Sequence, residues 1–431
     1  MRSFLLGVLL ITSLVATVSA QRICGTVEYQ QQIIQDNPSL QSIFQGVENQ
    51  MTSANANMAK RDTTLNEIIY IPVVIHILFK NQIENISDEQ IKSQLDALNK
   101  DYRMQNADRA NTPKAFQSLA GDARIQFCLA QVDPQGNKTT GIVRKYTNQD
   151  LFITDDGMKN VSKGGAASWD SKRYLNIWIC KLSSRSLGYA TPPGAAADKD
   201  GVVIAYDVFG TIGGLRAGFN KGRTATHEVG HWLGLIHIWG DANCGDDHVD
   251  DTPPQQSFNF GCQSFPKVSA CSKDKLGDMF MNFMDFSDDA CMNMFTKGQV
   301  NRMRSLFAKN NLRNTFMSST ACDSTSAVAG PLPKDVDNET ALGAAPLSNV
   351  KITSIKIYPT PVITTTTIDC KGATALTVKR MNIFNSLGLK VFTVQLNQEK
   401  TIINLSHLVA GIYFIQIGEG ADKYSTRIIK E

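Results

Sequence analysis

Charge of either sign is scarce in this chain, and neither sign is clustered. Lys and Arg number 43 and Asp and Glu 40 among 431 residues, so the net charge is only +3. A nucleic-acid-binding surface needs Lys and Arg gathered in a patch or stripe, and the sequence has no such cluster. Long apolar runs are also missing after residue 20, so no later segment is predicted to cross a bilayer. The composition, 42% hydrophobic, is typical of a globular protein.

The one strongly apolar segment lies at the start of the sequence. Arg2 is followed by an apolar run from Phe4, and small residues at Val18 and Ala20 form a cleavage position. This pattern predicts a signal peptide over residues 1–20. A membrane anchor is the alternative, but the run is short and interrupted by polar residues. We therefore expect a secreted protein, in which disulfides are permitted.

The cysteines number nine, and an odd count leaves at least one without an intramolecular partner. Cys128 and Cys180 lie inside apolar, strand-like runs, and we expect both to be buried free thiols. Four others lie in polar, turn-rich sequence and are the disulfide candidates: Cys244, Cys262, Cys271 and Cys291.

The length and the changes in composition predict several units. Residues 21–61, rich in Gln, Asn and Ser, form a detachable segment. Residues 62–321 interleave β-branched runs, such as the one from Ile68, with amphipathic helices, one of which begins after Ser87. This alternation predicts a mixed sheet with helices packed on it. Residues 322–349 are a linker, and residues 350–431 alternate apolar and polar side chains as a small β-sandwich does.

Residues 227–237 read HEVGHWLGLIH and carry the chemistry. On a helix, His227 and His231 lie one turn apart on one face, where both can bind one metal ion. Glu228 then lies beside the metal, so its carboxylate can take a proton from water and later deliver it to the leaving amine. Gly234 ends the helix at low strain, and His237 follows as a third ligand. The fourth position stays open, which is typical of a catalytic zinc site.

A structural role is the alternative interpretation of these histidines. A single histidine on an apolar helix face is usually a core residue. Here three of the six histidines lie within eleven residues, with Glu and Gly in register. The short form HExxH occurs in many unrelated proteins, whereas the extended form HExxHxxGxxH is far more specific. The spacing therefore favours a zinc site.

The extended motif resembles that of the metzincin peptidases, and the resemblance continues downstream. The segment MNFMDFSDDACMNMF provides Met284 for the Met-turn that underlies the zinc site in that clan. From about Ile68 to Ala321 the sequence is similar to the pappalysin family, which GDDHVDDTP and CMNMFT both fit. The resemblance implies an α/β (α+β) catalytic domain with a mixed, mostly parallel twisted sheet and a zinc-binding active-site helix. The implied activity is zinc-dependent cleavage of proteins or peptides.

The same resemblance implies further site residues. Two disulfides brace this region in the family and would here be Cys244–Cys271 and Cys262–Cys291. The family also implies structural calcium, for which hard oxygen ligands are available in Asp247, Asp250, Asp251 and Thr252. A solvated acidic loop is the alternative interpretation of these acids.

Two positions depart from the family pattern. The family commonly has Tyr two residues after the Met-turn methionine, placed to donate a hydrogen bond to the transition state, whereas this chain has Phe286. Loss of one such donor typically costs a few kcal/mol of transition-state stabilisation. Arginine-specific relatives also have an acidic residue just before the following cysteine, where this chain has Ala290. The departure argues against a preference for arginine after the scissile bond.

The segment RICGT, residues 22–26, resembles the cysteine-switch segment of zymogens in this family. The resemblance implies that a thiolate from Cys24 occupies the open zinc position until the propeptide, residues 21–61, is removed near Lys60 or Arg61. An ordinary disulfide from Cys24 to Cys322 or Cys370 is the alternative.

The end of the sequence resembles the sorting domain of the type IX secretion system. The resemblance depends on IYPTPV at Ile357–Val362, on LSHLVAGIYFIQI and on the terminal RIIKE, although Thr360 stands where the motif usually has Asn. It implies that the secretion machinery carries the protein through the outer membrane. A generic adhesive sandwich is the alternative.

Two other functions compete with the peptidase at this stage. One is a catalytically weak, zinc-bearing surface module used for adhesion, which only Phe286 supports. The other is a zinc amidase acting on something other than protein. The peptidase is preferred because the whole motif, from His227 to His237, is intact.

Overall fold

The computed structural model of the chain describes residues 22–58, 67–183, 186–272, 276–323, 354–371, 379–384, 390–396, 400–405, 408, 410–417 and 424–431. The predicted signal peptide, the predicted processing site at Lys60 and Arg61, and residues 324–349 of the predicted linker lie outside these ranges. The chain divides into two compact units, Met1–Asn338 and Glu339–Glu431. Within the described ranges, every helix is too short or too polar to span a bilayer.

The larger unit begins with two helices and then alternates strands with helices. The first two helices are α1 (Thr26–Asp36) and α2 (Leu40–Met58). The elements that follow are β1 (Ile69–Phe79), α3 (Asp88–Tyr102), α4 (Lys114–Gln117), β2 (Ile125–Leu129), β3 (Ile142–Tyr146), β4 (Leu175–Cys180), β5 (Gly188–Ala190), β6 (Val202–Ala205), α5 (Arg223–Trp232) and α6 (Lys297–Ser305).

One six-stranded sheet forms the centre of this unit. Its order is β2–β1–β4–β6–β5, and β3 pairs with the second half of β1. The β1–β2, β1–β3, β1–β4 and β4–β6 pairs are parallel, whereas β5 runs antiparallel to β6. The predicted mixed, mostly parallel sheet is therefore confirmed. β5 is the edge strand on the side opposite β2, and its outer backbone groups can pair with another extended segment.

Helix α3 fixes the position of helix α5, which carries the histidine motif. The Ser87 side chain caps α3 by accepting from Gln90 N, as the sequence predicted. Two α3 side chains then reach α5: Gln94 donates to Gly222 O at 2.9 Å, and the Tyr102 hydroxyl donates to Thr226 O at 3.0 Å. The zinc-helix candidate is thus held by polar contacts as well as by core packing.

The prediction for Cys128 is wrong, because this cysteine forms a disulfide with Cys322, 194 residues away. The prediction assumed a fully buried strand, but β2 lies at a sheet edge and Cys128 is on its half-buried face. Cys322 reaches Cys128 on that face of the strand. Cys180, on the central strand β4, is fully buried and forms no disulfide, as expected. Since Cys322 is bonded to Cys128, the alternative disulfide between Cys24 and Cys322 is also excluded.

The smaller unit is an antiparallel β-sandwich, as predicted. Its strands are β7 (Ser354–Tyr358), β8 (Thr365–Lys371), β9 (Lys379–Phe384), β10 (Lys390–Leu396), β11 (Lys400–Asn404), β12 (Gly411–Ile417) and β13 (Tyr424–Lys430). They form a four-stranded sheet, β10–β9–β12–β13, and a three-stranded sheet, β11–β8–β7. Apolar side chains of both sheets share one core, which includes Ile368, Met381 and Ile415. This core accounts for the period-two alternation in the sequence, because alternate side chains of each strand point into it.

Candidate active site

The three motif histidines converge at one point. Their Nε2 atoms lie 3.1 Å (His227–His231), 3.1 Å (His231–His237) and 3.2 Å (His227–His237) apart. Helix α5 places the first two one turn apart. It ends at Trp232, and the left-handed backbone of Gly234, with φ of 82°, turns the chain so that His237 joins them. Three imidazole lone pairs aimed at one point match the ligand set of a zinc ion.

Each imidazole is oriented by a contact of its other nitrogen. His227 Nδ1 contacts Phe283 O at 2.7 Å, and His231 Nδ1 contacts Leu235 O at 2.9 Å. His237 Nδ1 contacts the Asp241 carboxylate. These contacts keep the proton on Nδ1 and leave Nε2 to bind a metal. Burial lowers the pKa of His227 well below its usual value and that of His231 to about 3, so both are neutral, as metal ligands must be.

Glu228 lies beside the histidines and is buried. Its Oε2 accepts from Thr26 Oγ1 at 3.0 Å and from the Cys24 thiol at 3.4 Å. Burial raises the pKa of this carboxyl to about 7, against the lowering effect of those two hydrogen bonds. A carboxyl with a pKa near neutrality can both accept and return a proton.

Cys24 completes the cluster. Its Sγ belongs to a group of four potential ligand atoms, with those of the three histidines, that all lie within 4.8 Å of one another. Residues around it pair with the edge strand β5: Gly25 N donates to Gly188 O at 2.9 Å, and Leu187 N donates to Ile23 O at 3.0 Å. Burial and the neighbouring Glu228 raise the pKa of the thiol. A zinc ion would instead favour the thiolate.

Arg22, which precedes Cys24 by two residues, fills a buried pocket. Its guanidinium forms an ion pair with Asp289, its Nε donates to Ser287 O at 3.2 Å, and it stacks on the Phe219 ring. Asp289 is fully buried, and its second carboxylate oxygen accepts from Lys221 N and Arg223 N. The pocket therefore has a fixed acidic floor. Ala290 is exposed, and the acid of this pocket stands one residue earlier.

The Met-turn lies under the zinc helix. Met284 is fully buried, and a Cβ added to Gly230 of α5 would lie 2.6 Å from Met284 Sδ, so any larger residue there would require the Met284 side chain to shift. Phe286 packs its ring 4.9 Å from that of His237 and 4.8 Å from that of Trp239. Phe286 thus packs against the ring of His237, and its side chain has no group that could donate a hydrogen bond.

The loop after the zinc helix contains both implied disulfides, Cys244–Cys271 and Cys262–Cys291. The aspartates of this loop, unlike the three histidines, do not all point to one place. Asp247 Oδ1 accepts from the Thr252 hydroxyl at 2.8 Å, and Asp251 Oδ2 accepts from Gly298 N at 2.8 Å. Asp250 is exposed. Among the described residues, these aspartates do not form a cluster of three carboxylates like the histidine cluster.

Three site features escaped the sequence analysis: the acidic floor at Asp289, the Asp241 partner of His237, and the contacts of Tyr29 on α1. Asp241 could have been found, because it follows His237 by four residues. Asp289 and Tyr29 act through partners more than a hundred residues away, and no local pattern signals such pairs.

Comparison with known proteins adds independent findings. Residues 159–308 match the peptidase family described as pregnancy-associated plasma protein-A, and residues 356–431 match a secretion system C-terminal sorting domain. An extracellular metalloprotease of Arthroderma otae is 31% identical over 296 residues, which cover 66% of this chain and 90% of that protein.

Two solved structures from Tannerella forsythia are similar as well. Mature mirolysin in complex with a cleaved peptide is 50% identical, with a TM-score of 0.57, and the match covers 58% of this chain and 96% of that one. A promirolysin variant is 45% identical, with a TM-score of 0.64, and the match covers 71% and 99%.

The sheet, the histidine-bearing helix and these relatives define a zinc metalloendopeptidase. The chain belongs to the pregnancy-associated plasma protein-A, or pappalysin, family of these enzymes. Its relatives and its sorting domain indicate that it is secreted. The predicted family, enzyme class and secretion are thereby confirmed.

Proposed function

We propose that the chain is the latent precursor of a secreted endopeptidase that cuts peptide bonds on the amino side of arginine. In this proposal residues 1–20 are the signal peptide, 21–61 the propeptide, 62–321 the peptidase, 322–349 the linker, and 350–431 the type IX sorting domain. The observation that carries it is the course of residues 22–26, which pair with β5 while Arg22 fills the acidic pocket and Cys24 faces the histidines.

His227, His231 and His237 would hold the zinc ion. The donor set fits this metal, because three imidazole nitrogens, each backed by an acceptor on its other nitrogen, leave one position open. Zinc bound there would polarise the scissile carbonyl and acidify a water molecule.

Glu228 would be the general base and acid. Its carboxylate lies one residue from His227 on α5 and is not part of the ligand group, so it remains available to take a proton. The carboxyl, with its pKa raised by burial, would then return the proton to the leaving amine. The relevant atoms are Oε1 and Oε2 of this side chain, and no covalent intermediate with the protein is required.

Latency would come from Cys24. Its sulfur lies within reach of the three Nε2 atoms, and its thiol and the Thr26 hydroxyl both contact Glu228, so the propeptide covers the metal position and the base together. One more anchor holds the propeptide: Arg302 donates to both carboxylate oxygens of Glu48, at 2.7 and 2.6 Å, and is itself oriented by its hydrogen bond to Gly234 O at 2.9 Å.

Full-length Cys24→Ala protein is expected to cleave casein about tenfold faster, or more, than the full-length parent, because loss of even one 1.4 kcal/mol contact changes occupancy tenfold. Cys180→Ala is the matched control, since it removes another buried thiol far from the histidine cluster in sequence. The measurement is casein cleavage by unprocessed protein, with processing followed on gels. Equal latency of the parent and the Cys24→Ala variant would contradict the switch.

Arginine specificity would come from Asp289. Arg22 is arranged as a side chain in a specificity pocket would be, with its charge on a buried acid and its hydrophobic face on Phe219. Two backbone N–H groups keep the Asp289 carboxylate in place, so the pocket persists when Arg22 leaves. A substrate arginine could then form the same ion pair.

Structural calcium is proposed for the loop after the zinc helix. Two buried carboxylate oxygens, Asp247 Oδ2 and Asp251 Oδ1, have no hydrogen-bond partner among the described residues. Burial raises the pKa of Asp247 to about 7, and a cation would offset this cost. Thr252 and Asp250, which the family resemblance also implies, would supply further oxygen ligands.

Metal removal tests both cofactors. Protein processed by trypsin should lose casein cleavage with 1,10-phenanthroline and regain it with zinc, while EGTA should lower the unfolding temperature and calcium should restore it. Cleavage that persists after zinc removal would contradict the proposed chemistry. An unfolding temperature unaffected by EGTA and by added calcium would contradict the calcium site.

A further inference from the structure

Tyr29 fills a pocket beside the edge strand that the proposed chemistry does not use. Only 2% of this residue on α1 is exposed. Its hydroxyl donates to Asp156 Oδ2 at 2.7 Å, and its ring lies 4.8 Å from the ring of Tyr189 on β5. Lys159 Nζ lies 4.9 Å from the ring centre. The propeptide therefore places a phenol in a pocket with a carboxylate, an ammonium group and an aromatic wall.

We propose that this pocket, formed by Asp156, Lys159 and Tyr189, is a substrate subsite of the mature enzyme. It takes a tyrosine side chain from the stretch that precedes the scissile bond. The inference rests on the proposed function, in which the Asp289 pocket takes the arginine after that bond. Along residues 22–29, Arg22 and Tyr29 lie on opposite sides of Cys24, so the two pockets flank the metal position.

The pocket is built by residues outside the propeptide. Lys159 Nζ contacts Asp156 Oδ1 at 2.7 Å and donates to Thr191 Oγ1 at 2.8 Å and to Lys199 O at 2.9 Å. The Tyr189 hydroxyl contacts Asp156 Oδ1 at 3.3 Å. Because these contacts need no residue of the propeptide, the carboxylate and the aromatic wall stay in position after Tyr29 leaves.

The pocket also lies within reach of a peptide on the edge strand. Thr26 Oγ1 accepts from Ala190 N at 2.9 Å, so the propeptide is still against β5 three residues before Tyr29. A Cβ added at Gly25 would lie 3.5 Å from Tyr189 Cβ, so a side chain at this place points to the Tyr189 face of the strand. Three helical residues advance about 4.5 Å. An extended substrate covers that distance in one or two residues, at about 3.3 Å each.

The chemistry of the pocket selects a phenol. Asp156 Oδ1 contacts Lys159 Nζ and the Tyr189 hydroxyl, and its Oδ2 accepts from the Tyr29 hydroxyl. Phenylalanine would fill the same space and leave that oxygen without its donor, which a site built around a hydroxyl discriminates against. The Tyr189 ring and the Lys159 ammonium favour an aromatic ring over an aliphatic side chain.

The test uses full-length protein processed by trypsin and separated from its propeptide. Peptides with arginine after the scissile bond carry either Tyr or Phe at each of the three positions before it. At one of these positions Tyr should raise kcat/KM about tenfold over Phe, as expected for one hydrogen bond to a charged group. Asp156→Asn should reduce this difference to about threefold or less, because a neutral amide oxygen is a weaker acceptor than a carboxylate. Asn tolerates the left-handed backbone of Asp156, with φ of 59°.

The matched control is Asp155→Asn, which changes the neighbouring, exposed acid and should keep the preference for Tyr. Equal kcat/KM for Tyr and Phe at all three positions would overturn the subsite while the arginine-directed cleavage itself stands. A preference for Tyr that stays undiminished in Asp156→Asn would overturn the role of this carboxylate. If no arginine peptide is cleaved at all, the proposed function fails, and the subsite fails with it.

Discussion

Processed Glu228→Gln protein is expected to lose about 10²- to 10⁴-fold in kcat with little change in KM, the range for loss of a positioned general base. Gln keeps the size of the side chain and can still contact its buried surroundings, but its amide does not accept a proton. Because Glu228 is outside the group of ligand atoms, zinc content should stay at the parent level. The measurement combines peptide kinetics with metal analysis of the same samples.

Glu84→Gln is the matched control for that experiment. Glu84 is also buried, but it accepts from Lys80 N and from the Asn81 side chain rather than from groups near the histidines. The kcat of the Glu84→Gln variant should equal that of the parent. If Glu228→Gln kept full activity, or if it lost its zinc, Glu228 would be a structural residue or a ligand, and the proton transfer assigned to it would be wrong.

The parts of the fold and site that the sequence predicts are those defined by near neighbours in the chain. The capped start of α3 at Ser87, the histidine motif and the turn at Gly234 all lie within spans of a few residues. Their physics is local: a cap satisfies a nearby N–H group, and helical spacing brings His227 and His231 together. Such features can be predicted before any tertiary contact is known.

The parts that the sequence does not predict depend on distant partners. Arg22 and Asp289 are 267 residues apart, and the two cysteines of the first disulfide, Cys128 and Cys322, are 194 apart. The exposure of Cys128 depends on the place of β2 at a sheet edge, which strand composition does not encode. In the proposed specificity pocket the acid is Asp289 and not residue 290, because only the fold shows which side chain points towards Arg22.

The departure at Phe286 has a structural consequence beside its chemical one. Its ring packs against His237, Trp239 and Phe258 and stays mostly buried, with 8% exposed. A tyrosine hydroxyl here would need a partner in an aromatic cluster. Phe286 instead packs against the ring of the third histidine. We expect the absence of a hydroxyl donor here to slow catalysis while leaving the proposed metal ligands and base in place.

Asp289→Asn is expected to lower kcat/KM for arginine substrates about a hundredfold, because truncating one partner of a buried, charged pair costs about 2–5 kcal/mol. Asn keeps the volume of the side chain and one oxygen for Lys221 N and Arg223 N, so the pocket should keep its shape. Substrates with leucine at that position should change by less than about threefold, since they form no ion pair there. The measurement is kcat/KM for paired peptides that differ only at this residue.

Asp288→Asn tests whether the arginine preference depends on the acid in the pocket or only on negative charge near it. Asp288 is the adjacent acid and is half-buried, but the Arg22 hydrogen bonds and ion pair go to Asp289, Ser287 and Thr224. Its loss should leave the arginine preference intact. Equal losses in the Asp288→Asn and Asp289→Asn variants would mean that long-range charge, and not the pocket, selects arginine. An unchanged arginine preference in Asp289→Asn would mean that Arg22 occupies its pocket only to hold the propeptide, and that specificity lies elsewhere in the cleft.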